Sequence, residues 1–483
     1  MQRLLLVLAA VVLSLPAAAF AAPEGQPYDY KTDASLVWEK SITGQGQTIA
    51  VIDDGVVVTH PWFRGQVVAE ACFSIPPVGS GWLPTCPGAT PGELVAGPLF
   101  GPGTALPATS GHGFSEATWA KLAPTHGTAV AGAAAGARVY ANGTLGYRGM
   151  APDANLIAIN SSTVAPDGDG SSLASDEALV WLDQHRVELD LSVVNFSAAA
   201  DDGPTDANCD KMKLHPVLLR ERAAIDALVS HGVEVVVAAG NVERSGDPRR
   251  TTLGFPGCLS DVISVGATDP AVGNVARFSH TSSVTTVFAP GKQIFAPSPS
   301  SVDEIPRSGT SMAAPLVAGA IALYKETHPD ASPADVQHAL TTTGRLIQIR
   351  PGIWKRSLNV AELVDLNEPT DLGGTHAGCL HLSLRTVRNK PRLRQGFVKL
   401  SCKPSDNQPA ALVLEANGPG TIKLEKAVTD VPIADKKYYT DNTVEYGTGA
   451  FEAPAGRYRV CWHLYSSEDL EWPSLSRCKD FTV

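Results

Sequence analysis

Over roughly the first 345 positions, apolar residues fall in two alternating rhythms. Short, nearly unbroken apolar runs occur at Thr48–Ile52, Asn155–Asn160, Leu191–Ser197, Val233–Ala239 and Val262–Gly266. Runs of this kind, rich in Val and Ile, read as strands covered on both faces, where neither side has to meet water. Between them, Ser172–His185, Leu218–His231, Met312–Thr327 and Ser332–Thr342 carry a helical pattern. The alternation predicts an α/β fold, a mostly parallel sheet with helices on both faces. After Leu366-Asn367-Glu368-Pro369 the rhythm becomes period two, at Leu380–Leu384, Phe397–Cys402, Ala411–Glu415, Thr421–Leu424 and Arg457–Tyr465. In the last of these, Tyr458, Val460, Trp462 and Leu464 share one face, with Arg457, Arg459 and His463 on the other. That alternation predicts a small antiparallel β-sandwich over 369–483. Arg64 to Ala123 is rich in Gly, Pro, Ser and Thr and reads as an insertion (64–123) in the main domain, 22–368. It either shapes access to a cleft or is an inert surface loop.

Composition adds a compartment and removes a partner class. Met1 to Ala21 has Arg3, an apolar run from Leu4 to Leu15, Pro16, and Ala19-Phe20-Ala21 as a small-residue cleavage site. This has the form of a secretory signal peptide (1–21), with an uncleaved membrane anchor as the alternative. No later stretch is long and apolar enough to span a bilayer. The expectation is a secreted or periplasmic protein with no transmembrane segment after signal cleavage. The net charge of −11 argues against nucleic acid as a partner, since that needs a basic face. Eight cysteines in an exported chain point to disulfides. Proximity pairs Cys72 with Cys86 and Cys461 with Cys478, leaving Cys209 with Cys258 and Cys379 with Cys402, one connectivity among many. C-x-x-C is absent, and the histidines show no metal-ligand spacing.

Four segments carry candidate chemistry. Gly309-Thr310-Ser311-Met312-Ala313-Ala314-Pro315 sets a serine at a glycine-led helix start, where unpaired N–H groups and the macrodipole favour developing negative charge. Pro315 fits a helix start, because its missing donor has no partner there. A nucleophilic serine needs a base, and the base an orienting partner. His126 opens a helix made almost wholly of Gly, Ala and Val, and Asp53 ends the apolar strand beginning at Thr48. The strand Val233–Ala239 runs into Gly240-Asn241, whose amide can donate to an oxyanion. Taken singly, each has a plain reading as a cap or turn residue. Together, in the order Asp, His, Asn, Ser, they supply every group of an acyl-transfer site.

These residues resemble the subtilisin-like serine peptidases, the subtilase family, over roughly Gly44 to Thr343. The resemblance implies that Asp53, His126 and Ser311 form the catalytic triad and Asn241 the oxyanion hole. Gly149-Met150-Ala151-Pro152 resembles the family's turn before a core strand, and Val194-Asn195-Phe196-Ser197 its substrate-lining strand. Gly254-Phe255-Pro256-Gly257 resembles the wall and floor of the specificity pocket. The implied substrate-binding residues are Ser197, Ala198, Ala199, Ala239, Gly240 and Gly254, and the partner is a protein or peptide substrate. The chemistry implied needs no metal or organic cofactor. Structural calcium is known in the family, but no ligand spacing marks a site here; Asp167, Asp169 and the Asp201-Asp202 pair read as solvated loop charge.

Three departures from the family pattern matter. Asp53 follows the cleavage site too closely for the usual pro-segment, so the expectation is folding without one or with a separate helper or inhibitor. Asp54 resembles the kexin-like branch and would either favour a basic residue just before the cleaved one or serve as a turn or cap contact. Ser197-Ala198-Ala199 stands where most relatives have Ser-Leu-Gly, so the Ala199 methyl would narrow the pocket entrance. Gly254 leaves the floor open and places no acid there, which predicts a medium or large apolar residue at the cleaved position. The functional expectation is a secreted serine endopeptidase. The alternatives are a dedicated processing or cyclising peptidase with the same site, and a non-catalytic binding protein on a subtilase scaffold with the β-module as its working part.

Overall fold

The computed structural model describes residues 28–366 except 75–82, 88–97, 107–124, 140–144, 165–170, 174, 199–206, 215, 243–250, 272 and 300–302, together with β-strands between 380 and 482. The signal segment, Ala199 and Thr421–Leu424 lie outside the described residues. The core strands are β1 (Thr48–Asp53), β2 (Val67–Cys72), β3 (Asn155–Asn160), β4 (Leu191–Phe196), β5 (Glu234–Ala238), β6 (Ile263–Thr268), β7 (Val287–Pro290), β8 (Arg345–Arg350) and β9 (Ile353–Ser357). With Leu99–Phe100 they make a ten-stranded sheet in the order β8-β9-β7-β6-β5-β4-β1-β3-β2-Leu99–Phe100. Pairing is parallel from β2 through to β9; β8 and Leu99–Phe100 pair antiparallel at the two edges. Each of β1, β4, β5, β6 and β7 is buried along its whole length, which is why their sequences lack polar alternation.

Helices α1 (Thr125–Ala135), α2 (Ser175–His185), α3 (Pro216–Ser230), α4 (Thr310–Thr327) and α5 (Pro333–Thr342) cover the sheet. α1 and α4 share one buried cluster with Ile49, Val51, Val236 and Val265, while α2 and α3 share the other with Ile52, Val194, Val235 and Val237. One strand thus feeds both cores, its odd residues to one face and its even residues to the other. The small residues of α1 let it lie close against α4: a Cβ added to Gly319 would come within 2.7 Å of the Ala134 carbonyl oxygen. α5 begins with a capping box, Ser332 accepting from the Asp335 N–H and the Asp335 carboxylate from the Ser332 N–H.

Up to residue 366 the expected strands and helices form within a few residues of their sequence limits, and two readings are corrected. Helix α2 starts at Ser175; Ser171–Leu173 is extended and pairs with Ser162–Val164. The proposed insertion does not begin at 64, because β2 is a strand of the main sheet, paired in parallel with β3. Its near-edge place leaves Val67, Val68, Ala69 and Glu70 partly or fully exposed, so it lacks the apolar run that marks a covered strand. The hairpins β8–β9 and Ile294–Pro297 with Glu304–Arg307 are short, polar-flanked and carry no strong period. Cys72–Cys86 and Cys209–Cys258 are bonded, the pairs that spacing and remainder selected.

Beyond 366 the strands form two antiparallel sheets. One joins Leu380–Val387, Lys390–Leu400, Val444–Gly447 and Lys437–Tyr438, with Phe451–Glu452 added to the second strand; the other joins Pro409–Asn417, Arg457–Ser466 and Pro473–Thr482. In the second sheet Cys461 stands opposite Cys478.

Candidate active site

Parallel strands deliver their carboxyl ends to one rim of the sheet, and the polar residues that interrupt the apolar runs gather there. Asp53 ends β1, in register with Asn160 at the end of β3, and Ser197 follows β4. Ala239, Gly240 and Asn241 follow β5. Ser311 enters from the opposite direction as the second residue of α4, and His126 is the second residue of α1. Both therefore sit in a first turn, where backbone N–H groups lack intrahelical acceptors.

Asp53 and His126 meet directly. Asp53 is buried, and its Oδ1 takes the His126 Nδ1 at 2.8 Å and the Asp54 N–H at 2.8 Å. The bond from Nδ1 leaves Nε2 as the outward nitrogen of a ring whose side chain is 41% exposed. Burial opposes a charged imidazole, but the charge and hydrogen bond of Asp53, with Asp54 behind it, outweigh that and push His126 up to about 9; Arg307 pulls the other way. Glycine is required at 127: an added Cβ would lie 2.3 Å from the Gly55 carbonyl oxygen and 2.9 Å from Asp53 Cβ. Helix α1 and the Asp53-Asp54-Gly55 turn approach too closely for any side chain there.

Around Ser311 the contacts lock backbone and amide. Asn241 Oδ1 accepts from the Thr310 N–H at 2.9 Å and the Thr310 hydroxyl at 3.2 Å, while that hydroxyl accepts from the Gly240 N–H at 3.1 Å. With Oδ1 engaged, Nδ2 is left as the donor end of the Asn241 amide. A Cβ added to Gly309 would fall 2.8 Å from Ser311 Oγ and 3.7 Å from Asn241 Nδ2, so that space stays open only because residue 309 is glycine.

Pro315 is placed differently from the sequence expectation. It is the sixth residue of α4, past the first turn, and its missing N–H would have bonded the carbonyl four residues back, at Ser311. That carbonyl accepts instead from the Ser197 hydroxyl at 3.0 Å, and Ser197 in turn accepts from Asn195 Nδ2 at 2.9 Å. The proline frees an acceptor, and the end of β4 fills it.

Of the expected substrate-binding residues, the structure brings Ser197, Ala239 and Gly240 to this rim, with Ala198 next to Ser197. Gly254 is buried and its carbonyl accepts from the Cys258 N–H at 3.2 Å. Gly257 in the same segment lies against Val237 and the Ala238 carbonyl, beside β5. Among the described residues, no hydrogen bond joins the His126 ring to the Ser311 hydroxyl, and no cluster of His, Cys, Asp or Glu has the arrangement of a metal site. Sequence reasoning missed Thr310, which fixes the Asn241 amide, and Arg307, which faces His126 electrostatically. Thr310's adjacency to Ser311 was the available signal; Arg307 ends the preceding strand Glu304–Arg307 and carried none.

The arrangement can hold a proton at Nδ1, exchange one at Nε2 and offer N–H donors beside a serine oxygen, which suits acyl transfer. Residues 44–377 match the family model described as the subtilase family. Subtilisin DY of Bacillus licheniformis is 34% identical over 218 residues, covering 45% of this chain and 69% of that protein. An intracellular serine protease of Paenibacillus polymyxa is 34% identical over 296 residues, 61% of this chain and 70% of that one. Against subtilisin E of Bacillus subtilis (strain 168) the identity is 32%, and the chain spans half of that protein's length. Among solved structures, a cold adapted subtilisin-like serine proteinase aligns with a TM-score of 0.43 at 21% identity, over 66% of this chain and 90% of that one. The chain belongs to the subtilase family, the serine-type endopeptidases built on the subtilisin-like α/β fold.

Proposed function

We propose that this chain is an exported serine endopeptidase that hydrolyses peptide bonds through an acyl-enzyme. The observation that carries the reading is the 2.8 Å contact of His126 Nδ1 with Asp53 Oδ1, at the start of a helix packed beside the one Ser311 opens. Ser311 Oγ bonds to the scissile carbonyl carbon while His126 Nε2 takes the hydroxyl proton. Asp53 keeps the ring in the matching tautomer and stabilises the imidazolium. Asn241 Nδ2 and the Ser311 N–H bind the oxyanion. When the C–N bond breaks, His126 returns the proton to the leaving amine; water then repeats the attack and releases the acid. None of these steps calls on a metal or organic cofactor, and any structural calcium would lie outside them.

Protein or peptide substrate runs between Ser197-Ala198 on one side and Ala239-Gly240 on the other. The uncharged Gly254 segment takes a medium or large apolar side chain at the cleaved position. The signal-like start of the chain and the two buried disulfides support export to an oxidising compartment, and no described helix is long and apolar enough to cross a membrane. A separate folding helper or inhibitor remains part of the proposal. The test is labelling of the purified, signal-free protein by a fluorophosphonate, with Ser311→Ala beside it. Labelling that disappears in Ser311→Ala is expected. Labelling that persists there, or a folded parent that does not label, would end the reading.

A further inference from the structure

The second acid of the Asp53-Asp54 pair is not itself a proposed triad member, yet it is half-buried against the helix that carries His126. Asp54 Oδ1 accepts from the Gly127 N–H at 2.7 Å, and Oδ2 faces the His126 N–H at 3.4 Å. Its own N–H donates to Asp53 Oδ1, the atom that holds the imidazole. Behind it, residue 54 bridges to Asn160 at the end of β3. The Val57 N–H donates to the Thr128 hydroxyl at 3.0 Å, so the turn after β1 and the first turn of α1 are joined at successive points. Both carboxylate oxygens point to backbone donors of α1, the geometry of an acidic residue placed at a helix N-terminus.

Resting on the triad reading above, we infer that Asp54 is a positioning residue for His126, anchoring the first turn of α1 to the Asp53 loop and adding a second negative charge behind the imidazole. The turn-or-cap alternative raised by the sequence is the one this geometry favours over a substrate contact. A cap carried by a segment about seventy residues distant does what a local cap cannot: it sets where the helix starts relative to the strand bearing Asp53.

The charged groups facing His126 are Asp53 and Asp54 from the end of β1 and Arg307 from the strand Glu304–Arg307. Asp54 itself faces Asp53 and His126; burial first, then the Asp53 charge, push it up to about 7 against the pull of His126 and the two backbone N–H groups. An ionised Asp54 favours the imidazolium by its charge alone, and an uncharged replacement removes that charge.

The test compares Asp54→Asn and Asp54→Ala with the parent by two readouts. The first follows the His126 ring by NMR in histidine-labelled Ser311→Ala protein, which needs no catalysis. Asp54→Asn lowers the His126 midpoint by about one pH unit, the scale of a neighbouring charge. The second is the kcat and KM split on a peptide with an apolar cleaved residue. Asp54→Ala loses about tenfold in kcat with little change in KM, as for a displaced catalytic group. Asp54→Asn recovers most of that loss, because its amide oxygen still accepts from the Gly127 N–H. An unmoved His126 midpoint in Asp54→Asn overturns the inference. So does a loss confined to KM for peptides with Lys or Arg before the cleaved residue, which would make Asp54 a substrate contact. A parent that resists the fluorophosphonate while the midpoint still shifts would instead fail the triad reading alone.

Discussion

His126 works between unlike neighbours, and its chemistry follows from their balance. Asp53 and Asp54 hold the proton on, while burial and Arg307 push it off, and the acids win, setting the group at about 9. As the proposed general base, His126 would act in its neutral form, so kcat/KM should climb through neutral pH and level off only in the alkaline range. Replacing Arg307 with Met removes a charge that opposes protonation. We expect the rising limb of the kcat/KM–pH profile to move to higher pH, opposite in direction to Asp54→Asn, by about half a unit to one unit. A limb that stays put, or moves to lower pH, would remove Arg307 from the electrostatics of the site. Stability carries the same sign: the raised His126 contributes fully below its ordinary 6.5 and loses that contribution as pH rises through about 9. The triad candidates could be read from sequence because each sits in an unusual local run. Asp54 on α1, Thr310 on Asn241 and Ser197 on the Ser311 carbonyl could not, since each contact joins segments brought together only by the sheet.

At the scale of elements, what the chain spells out most clearly is what is most buried. Strands β1, β4, β5 and β6 are covered on both faces, and their unbroken apolar runs announce it. β2 at the near edge and the short β8–β9 hairpin leave more than half their residues partly or fully exposed and lose that signature. Helices add a different kind of information: where two of them pack on the sheet, buried polar groups cannot be recognised from helical period alone. Glu221 of α3 is buried against α2, where Ser175 Oγ donates to it at 2.9 Å. Burial dominates, offset by that hydrogen bond and helped by the Asp176 charge, and raises the carboxyl to about 7. A raised carboxyl pKa means the folded state holds its proton more tightly than the unfolded chain. Its contribution is complete below about 4.5 and is lost as pH rises towards 7. Glu221→Gln keeps an acceptor for Ser175 and cannot ionise. It should match the parent near pH 5 and exceed it at pH 8 by about 1–3 kcal/mol, a gain of several degrees in Tm. Calorimetry at the two pH values decides it. An equal effect at both would assign the change to packing rather than to the buried charge.

Among the described residues, the peptidase domain is tied together by two disulfides as well as by the buried clusters on either face of its sheet. Cys72–Cys86 closes a short span of 14 residues at the end of β2, whereas Cys209–Cys258 closes 49 residues between the loop before α3 and the segment that follows Gly254. The longer link also reaches the Gly254 segment, the proposed pocket floor. The Cys209 N–H donates to the Cys258 carbonyl at 3.0 Å, and the Cys258 N–H donates to the Gly254 carbonyl at 3.2 Å. A bond remote in sequence from Ser311 thus holds the proposed pocket floor beside β5. Loop-closure entropy predicts about 3 kcal/mol for the shorter link and about 4 kcal/mol for the longer. Paired serine substitutions should reproduce that order, with Cys209→Ser/Cys258→Ser giving the larger drop in Tm. Only that pair should also raise KM for a peptide with an apolar cleaved residue, because only it frees the Gly254 segment. Denaturation of both variants and steady-state kinetics on the same peptide separate the two effects. A larger stability loss from the Cys72–Cys86 pair would show that packing around the links outweighs chain entropy. An unchanged KM in the Cys209–Cys258 pair would mean that β5 and the surrounding core hold the pocket floor without it.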